Sequence, residues 1–288
     1  MHEHRVEQRV IRLDRIPRPV PGPGEVLLRV AATTFNPSEA GLRQGLLRSI
    51  VPLALPYTMG LDVAGTVADG DRTGRRVVAR LDGGAAADYA VAPADLLVPV
   101  PDTVALEDAA ALPIAGLTAW QAVFEHAKVT AGHRVLINGV GAIGRYAVQL
   151  ARHAGAHVVA VATPRNLTAA REAGAHRVLA AGAVTGARLE PVDALIHLVP
   201  AAPEHAALLR PGGILVSATT PADQLPPGSV HFIVRNDTAD LAAMLALVAA
   251  GTIRIDIAAR RPLTGLAAVH AEAEAGHLPG KTLLLPTA

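Results

Sequence analysis

The chain has 288 residues, of which 51% are hydrophobic and 18% are charged. A sequence this apolar can bury a large core in about two ordinary domains, and it excludes extensive disorder. The formal net charge is +1 and aromatic residues make up 2%, so a nucleic-acid partner is not expected. There is no cysteine, which excludes disulfides, thiolate zinc sites and a cysteine nucleophile.

The sequence predicts a cytoplasmic protein without a membrane partner. The first fifteen residues are charged and lack the apolar core of a secretory signal. No apolar run approaches the roughly 20 residues of a membrane-spanning helix.

The pattern of residues 1–103 predicts a mostly β domain. Strands are predicted at 25–30, 62–67 and 76–80, between glycine- and proline-rich turns, with one helix at 38–47. A last strand at 282–285 needs an earlier strand as its partner.

From residue 105 onward, strands and helices alternate. Strands are predicted at 134–138, 157–162, 177–180, 193–198 and 213–217. Helices are predicted at 106–112, 118–126, 145–154, 167–173, 203–209 and 238–250. Such alternation is typical of a parallel sheet covered by helices.

A G-x-G-x-x-G sequence lies between the strand at 134–138 and the helix at 145–154. Its glycines permit a tight turn, a close approach of the backbone to a pyrophosphate, and close packing of helix on strand. Free N–H groups at the helix N-terminus then favour phosphate. The alternative is a tight turn without a ligand. The residues of this predicted phosphate cradle are Gly139, Gly141, Ala142, Ile143 and Gly144.

The segment after the second strand indicates which cofactor is bound. An acid here would bind the ribose 2′-hydroxyl of NAD, but the segment reads Thr163-Pro-Arg165-Asn166. A hydroxyl, a guanidinium and an amide suit a phosphate instead. The sequence therefore predicts NADPH with Arg165 at its 2′-phosphate, the alternative being a solvated loop arginine.

The chain resembles the zinc-independent, quinone-oxidoreductase-like branch of the medium-chain dehydrogenase/reductase superfamily over nearly its whole length. The segments that carry the resemblance are Val20–Val30, Phe35–Pro37, Gly60–Gly65, Gly116–Trp120, the glycine loop with Ala147–Ala151, Pro211–Gly213 and Gly280–Lys281.

This resemblance implies an α/β protein with two domains and a homodimer as the default assembly. Residues 1–103 would form a GroES-like substrate domain that residues 233–288 complete together with an interdomain helix. Residues 104–232 would form an inserted Rossmann domain that binds NADPH. The active site would lie in the cleft between the domains.

The resemblance also implies that no metal is bound. Zinc-dependent members have cysteine where this chain has Asn36, and a Gly-His-Glu triplet where it has Gly60-Leu61-Asp62. None of the 12 histidines shows a ligand spacing on one element.

Two tyrosines of the family's pocket are replaced here by Gly41 and Leu47. This predicts a larger, more apolar pocket and leaves the proton donor open. Asn36 is the candidate for positioning the substrate and stabilising an enolate. Tyr57 and Ser38 are the remaining polar groups, and Tyr57 is a catalytic candidate for which a packed edge tyrosine is the favoured alternative.

We therefore expect NADPH-dependent reduction of a quinone or an activated C=C bond in a small apolar electrophile. One alternative is an enoyl-thioester or enone reductase specific to a secondary-metabolic pathway, and another is a catalytically silent NADPH-binding module. Further residues expected beside the cofactor are Thr118, Leu198, Val199, Pro200, Ser217, Ala218 and Thr219.

Overall fold

A computed structural model describes residues 10–47, 53–184 and 186–286 of the chain. These residues form two sheets, one mostly antiparallel and one fully parallel, so the α/β class predicted from the sequence is confirmed. Within the same residues, no helix has both the length and the apolar character needed to cross a bilayer.

The elements of the described residues are the following. The strands are β1 (Glu25–Thr34), β2 (Asp62–Val67), β3 (Arg76–Arg80), β4 (Tyr89–Pro93), β5 (Val98–Pro99), β6 (Arg134–Asn138), β7 (His157–Ala162), β8 (Arg177–Ala180), β9 (Val192–His197), β10 (Leu209–Ser217), β11 (Val230–His231), β12 (Ala259–Pro262) and β13 (Thr282–Leu285). The α-helices are α1 (Pro37–Gln44), α2 (Leu106–Ala109), α3 (Pro113–Trp120), α4 (Ala142–His153), α5 (Leu167–Glu172), α6 (Thr238–Ala249) and α7 (Leu266–Glu274).

The chain divides into two compact units. The β unit runs up to Ile114 and resumes at Asn236–Ala249 and from Ile255 onward. The Rossmann unit comprises Ala115–Arg235 and Ala250–Arg254. The domain boundaries predicted at residues 103 and 232 stay a prediction.

The β unit is built on one sheet with the order β12-β13-β1-β2-β3-β5, and β4 also pairs with β1. Val- and Leu-rich strands with one buried face supply its core, in which Leu28, Val63 and Val77 pack together. The strand predicted at 282–285 is β13, and its earlier partner is β1, with Thr33 opposite Leu284.

The Rossmann unit contains a six-stranded parallel sheet in the order β8-β7-β6-β9-β10-β11. Its central strand β6 reads Val135-Leu-Ile137, and all three side chains are fully buried. Such a continuous apolar run is typical of a strand covered on both faces. The strand order reverses between β6 and β9, and ligands bind at the carboxyl ends of the strands at such a point.

One helix prediction was wrong. Residues 203–209 form only a 3₁₀ turn at Ala206–Leu208, and β10 begins at Leu209, which pairs with Val192. Pairing with β9 outweighs the local helical pattern here. The Pro-Gly-Gly sequence at 211–213 then shifts the register before pairing resumes at Ile214.

The helix predicted at 118–126 is composite. α3 begins earlier, at Pro113, which suits a first helical turn because it has no N–H to leave unpaired. A π-helix at Gln121–His126 continues it. The fully buried Gln121 side chain bonds both backbone groups of Arg235, accepting from its N–H at 2.9 Å and donating to its carbonyl at 3.1 Å.

Gly60 is a backbone position that only glycine can occupy without rearrangement. Its φ is +95°, and a Cβ there would lie 2.3 Å from the Ala86 nitrogen. We predict that Gly60→Ala lowers the free energy of unfolding by about 3–5 kcal/mol, through strain and overlap with the backbone. Gly70→Ala is the control, with φ +73° but no described atom within 4 Å of the new Cβ, and should cost about 1–2 kcal/mol. Urea denaturation of both variants measures the difference, and equal losses would contradict the steric argument.

Candidate active site

The glycine loop between β6 and α4 allows two close contacts. A Cβ on Gly139, whose φ is +102°, would lie 2.8 Å from Val199 Cγ1, and one on Gly144 would lie 2.1 Å from the Gly139 carbonyl oxygen. Gly144 therefore allows α4 to pack against the end of β6. Gly139 allows the loop after β9 to approach. The roles predicted for these glycines toward a cofactor stay a prediction.

Gly141 differs from its neighbours because it faces open space. It is exposed, and no atom of the described residues lies within 4 Å of the position that a Cβ would take. It is also the N-cap of α4, a helix of twelve residues. The first N–H groups of a helix have no partner within the helix, so those of Ala142 and Ile143 can bind an anion approaching over Gly141.

The turn after β7 carries the residues predicted to select the cofactor. Thr163 and Arg165 are exposed, and Asn166 is partly buried at the end of a 3₁₀ turn. The side-chain oxygen of Asn166 accepts a hydrogen bond of 3.2 Å from Nη2 of Arg145. The contact brings Arg145 into this group. Sequence reasoning missed it, although its place one residue after the third glycine sets it in the first turn of α4.

The loop after β9 is held by a buried histidine. His197 Nε2 lies 2.8 Å from the Ala201 carbonyl oxygen, which can only accept, so this nitrogen carries the proton. Nδ1 then accepts from Asn138 Nδ2 at 3.0 Å. Burial lowers the pKa of His197, which keeps the ring neutral in this arrangement. The histidine thus ties the ends of β6 and β9 to Ala201, which directly follows the loop Leu198–Pro200.

Hydroxyl groups after β10 hold the same loop. The Oγ1 atoms of Thr219 and Thr220 donate to the Val199 carbonyl oxygen at 3.1 and 2.9 Å. The fully buried Ser217 accepts N–H bonds from both threonines through its Oγ. The predicted residues Ser217, Ala218 and Thr219 therefore lie beside Leu198–Pro200, and the hydroxyls of Ser217 and Thr219 stabilise the loops. Thr118 is buried in α3.

In the β unit, Asp62 is the centre of a buried polar group that we call the Asp62 cluster, formed by Thr34, Asn36, Asp62 and Lys281. One carboxylate oxygen accepts from Thr34 Oγ1, from Asn36 Nδ2 at 2.9 Å and from Lys281 Nζ at 2.9 Å. The other accepts from the backbone N–H of Ile114 at 2.9 Å. Four donors therefore compensate one buried charge, as burial of a carboxylate requires.

Asn36 is committed to this cluster. It is 4% exposed; its side-chain oxygen accepts from Lys281 Nζ at 2.8 Å, while its nitrogen donates to Asp62. The structure thus brings together Asn36 and the Gly60–Asp62 segment, as the resemblance implies. Lys281 was not predicted as a site residue. The role of Asn36 toward an enolate stays a prediction.

Glu39 lies against the cluster and is 2% exposed. Its carboxylate accepts N–H bonds from Asn36 at 3.0 Å and Gly60 at 2.9 Å. As the N3 residue of α1 it forms a capping box with Asn36. Burial, followed by the nearby charge of Asp62, raises the pKa of Glu39 to about 7. The region therefore contains a carboxyl group that changes charge near neutral pH.

The surroundings of the Tyr57 hydroxyl do not favour proton donation. Its hydroxyl donates to the Asp82 carbonyl oxygen, and burial raises its pKa to about 12. A Cβ on Gly83 would lie 2.4 Å from that hydroxyl, so the ring packs directly on this turn. The geometry favours the packed edge residue over the proton donor.

The two positions that lack the family's tyrosines are near each other. A Cβ on Gly41 would lie 4.0 Å from Leu47 Cδ1. Ser38 is exposed on the first turn of α1. Gly41 has no side chain and Leu47 has an apolar one, so neither position offers a substrate a side-chain hydroxyl or charge.

The donor set at Asn36 and Asp62 does not fit a zinc ion. The ammonium of Lys281 lies between their side-chain oxygens, where a metal bound by both would have to sit. In the part of the chain that the structure describes, no group of three His, Cys, Asp or Glu side chains is placed to hold a metal.

Comparison with known proteins identifies the family. Residues 22–102 match the alcohol dehydrogenase GroES-like domain, and residues 173–284 match the zinc-binding dehydrogenase family. The chain is 30% identical to a chloroplast envelope quinone oxidoreductase homolog of Arabidopsis thaliana, over 94% of this chain and 93% of that protein. It is 34% identical to the trans-enoyl reductase pgmF of Aspergillus terreus, over 55% of this chain and 49% of that one.

A solved structure has the same fold. A mycobacterial protein complexed with NADPH superposes with a TM-score of 0.84 and 28% identity, over 97% of this chain and 96% of that one. The fold and these relatives together define an oxidoreductase architecture. The chain belongs to the medium-chain dehydrogenase/reductase superfamily, in its quinone-oxidoreductase-like branch, and is an oxidoreductase.

Breaking the ion pair of the Asp62 cluster should be costly. Lys281→Met leaves Asp62 buried without its cation, and we predict a loss of about 3–5 kcal/mol in the free energy of unfolding. Glu190→Gln is the control because the Arg134–Glu190 pair is exposed, and it should cost about 1 kcal/mol or less. Thermal and urea unfolding give both values. A Lys281→Met protein as stable as Glu190→Gln would show that the cluster does not need its cation.

The raised pKa of Glu39 predicts a pH dependence of stability. The folded protein keeps the Glu39 proton up to about pH 7, whereas the unfolded chain loses it near the ordinary value of 4.5. Stability should therefore fall as the pH rises through this window, because the unfolded state binds fewer protons. In Glu39→Gln this contribution is absent. Unfolding at pH 5.5 and pH 8 should show the wild type losing stability relative to the variant, and parallel profiles would contradict the assignment.

Proposed function

We propose that this oxidoreductase uses NADPH to reduce a quinone or an activated C=C bond by hydride transfer without a metal. The proposal is based on two features that occur together. The glycine loop is open at Gly141, and the turn after β7 carries an arginine and no acid. Gly141 leaves room for a pyrophosphate at the N-terminus of α4, and the turn after β7 offers Arg165. The mycobacterial relative that binds NADPH supports the choice.

The glycine loop, the turn after β7 and the loop after β9 would each hold a different part of the cofactor. The N–H groups of Ala142 and Ile143 would bind the pyrophosphate, and Thr163 and Arg165 would bind the 2′-phosphate. The loop Leu198–Pro200 would flank the cofactor at the carboxyl edge of the sheet. When bound, the nicotinamide supplies the hydride.

A metal-free site favours a conjugated acceptor. A quinone or an enone spreads the incoming negative charge onto its own oxygen, so it needs less electrophilic assistance than an isolated carbonyl. The Lys281 ammonium between Asn36 and Asp62 supports the absence of a metal. We propose that Asn36, whose amide is held by Lys281 and Asp62, positions the substrate and stabilises a developing enolate. The apolar surface at Gly41 and Leu47 supports a small apolar electrophile.

An enoyl-thioester or enone reductase is the second candidate. The trans-enoyl reductase relative favours it, and an apolar site suits an acyl chain as well as a quinone. A silent NADPH-binding module is disfavoured by membership of an oxidoreductase family. A homodimer in the cytoplasm stays a prediction for both candidates.

The direct test is NADPH oxidation, followed by absorbance, against quinones, enones and enoyl thioesters, with NADH in parallel. Turnover with a preference for NADPH would support a reductase, and the best acceptor would choose between the two candidates. Bound NADPH without turnover on any of the three classes would contradict the proposal and favour a binding module.

Arg165→Ala tests the cofactor assignment. Loss of a guanidinium from a phosphate should weaken NADPH binding about 10- to 100-fold, whereas NADH, which has no 2′-phosphate, should change by about twofold or less. Equilibrium titration of the apoprotein with each cofactor measures both values. Equal losses for the two cofactors would remove Arg165 from the 2′-phosphate site.

A further inference from the structure

Arg145 joins two parts of the Rossmann unit that the sequence pattern treats separately. Its backbone lies in the first turn of α4, directly after the glycine cradle, and its N–H donates to the carbonyl of Gly141 at 3.1 Å. Its side chain reaches the turn after β7 and donates from Nη2 to Asn166 Oδ1 at 3.2 Å. One residue thus links the pyrophosphate side of the site to its 2′-phosphate side.

The contact with Asn166 orients the guanidinium. Asn166 ends the 3₁₀ turn Pro164–Asn166, so its neighbour Arg165 is held in the same short turn. The amide oxygen of Asn166 takes one N–H of Arg145, and the guanidinium has five N–H donors in a planar fork. A guanidinium oriented by such a hydrogen bond loses less conformational freedom when it binds an anion.

The charges of this group favour a dianion. Arg165 lies in the turn after β7, the guanidinium of Arg145 bonds to Asn166 in the same turn, and residues 161–166 contain no acid. A phosphate monoester carries up to two negative charges and three acceptor oxygens, so it can bond two guanidiniums at once. The ribose 2′-hydroxyl of NADH offers neither feature.

We propose that Arg145 is the second guanidinium of the 2′-phosphate site, held in place by Asn166, and that it sets the preference for NADPH together with Arg165. The inference rests on the proposed function, because it assumes a nicotinamide cofactor in the cradle. It adds a residue from α4 to a site that the sequence assigned to the turn after β7 alone.

The test compares Arg145→Gln with two other arginine variants. Arg165→Gln removes the residue already assigned to the phosphate. Arg152→Gln is the matched control, since Arg152 lies on the same helix but in its last turn, where it contacts His176. Isothermal titration of each protein with NADPH and with NADH gives dissociation constants that do not depend on turnover.

We expect Arg145→Gln to weaken NADPH binding at least about tenfold and NADH binding by about twofold or less. Arg152→Gln should change neither affinity. Arg145→Lys should fall between wild type and Arg145→Gln, because it keeps the charge but loses the fork. The inference would be overturned if Arg145→Gln lowered the affinity for both cofactors equally, or for neither, while Arg165→Gln still lowered the affinity for NADPH alone.

Asn166→Asp gives an independent test of the contact. A carboxylate at this position would pair with Arg145 and repel a 2′-phosphate, so the variant should shift the preference toward NADH by at least about tenfold. An unchanged preference would show that Asn166 does not hold Arg145 at the phosphate. Failure of the proposed function looks different, since the wild type itself would then bind NADPH and NADH with equal affinity.

Discussion

The carboxylate of Asp62 is the constraint on which the β unit depends. A buried charge is tolerated only when donors surround it, and here they come from four places: Thr34 at the end of β1, Asn36 at the start of α1, Lys281 before β13, and the backbone of Ile114 in α3. Each donor fixes the end of one element. The carboxylate therefore connects β1 to β13.

The Rossmann unit uses a different principle, which is close backbone approach. Gly139 and Gly144 let the loop after β9 and the helix α4 crowd against the end of β6, and Gly141 leaves space where they converge. His197 and Thr220 then fix the loop after β9 with bonds to backbone carbonyls. Under the proposed function, the backbone of this pre-formed glycine loop would supply the phosphate contacts, while Arg145 and Arg165 would supply the positive charge.

The strands and turns that depend on a local sequence pattern could be predicted from the sequence. Strands such as 134–138 and 157–162, and the glycine loop between them, follow from hydrophobic runs and turn residues. The helix at 203–209 was wrong because strand pairing outweighed a local signal. The contacts of Arg145 and Lys281 could not be predicted in this way. Lys281 meets Asp62 across 219 positions of sequence, and such a contact depends on how distant elements pack.

Recognition of a 2′-phosphate by the Rossmann unit is measured most directly with nucleotide fragments that lack the nicotinamide. Titration calorimetry of the intact protein with 2′,5′-ADP and with 5′-AMP compares two ligands that differ only in that phosphate. Two guanidinium contacts predict that 2′,5′-ADP binds at least about tenfold more tightly, with the difference shrinking at high salt. Equal affinity for the two nucleotides would show that the Rossmann unit does not recognise a 2′-phosphate.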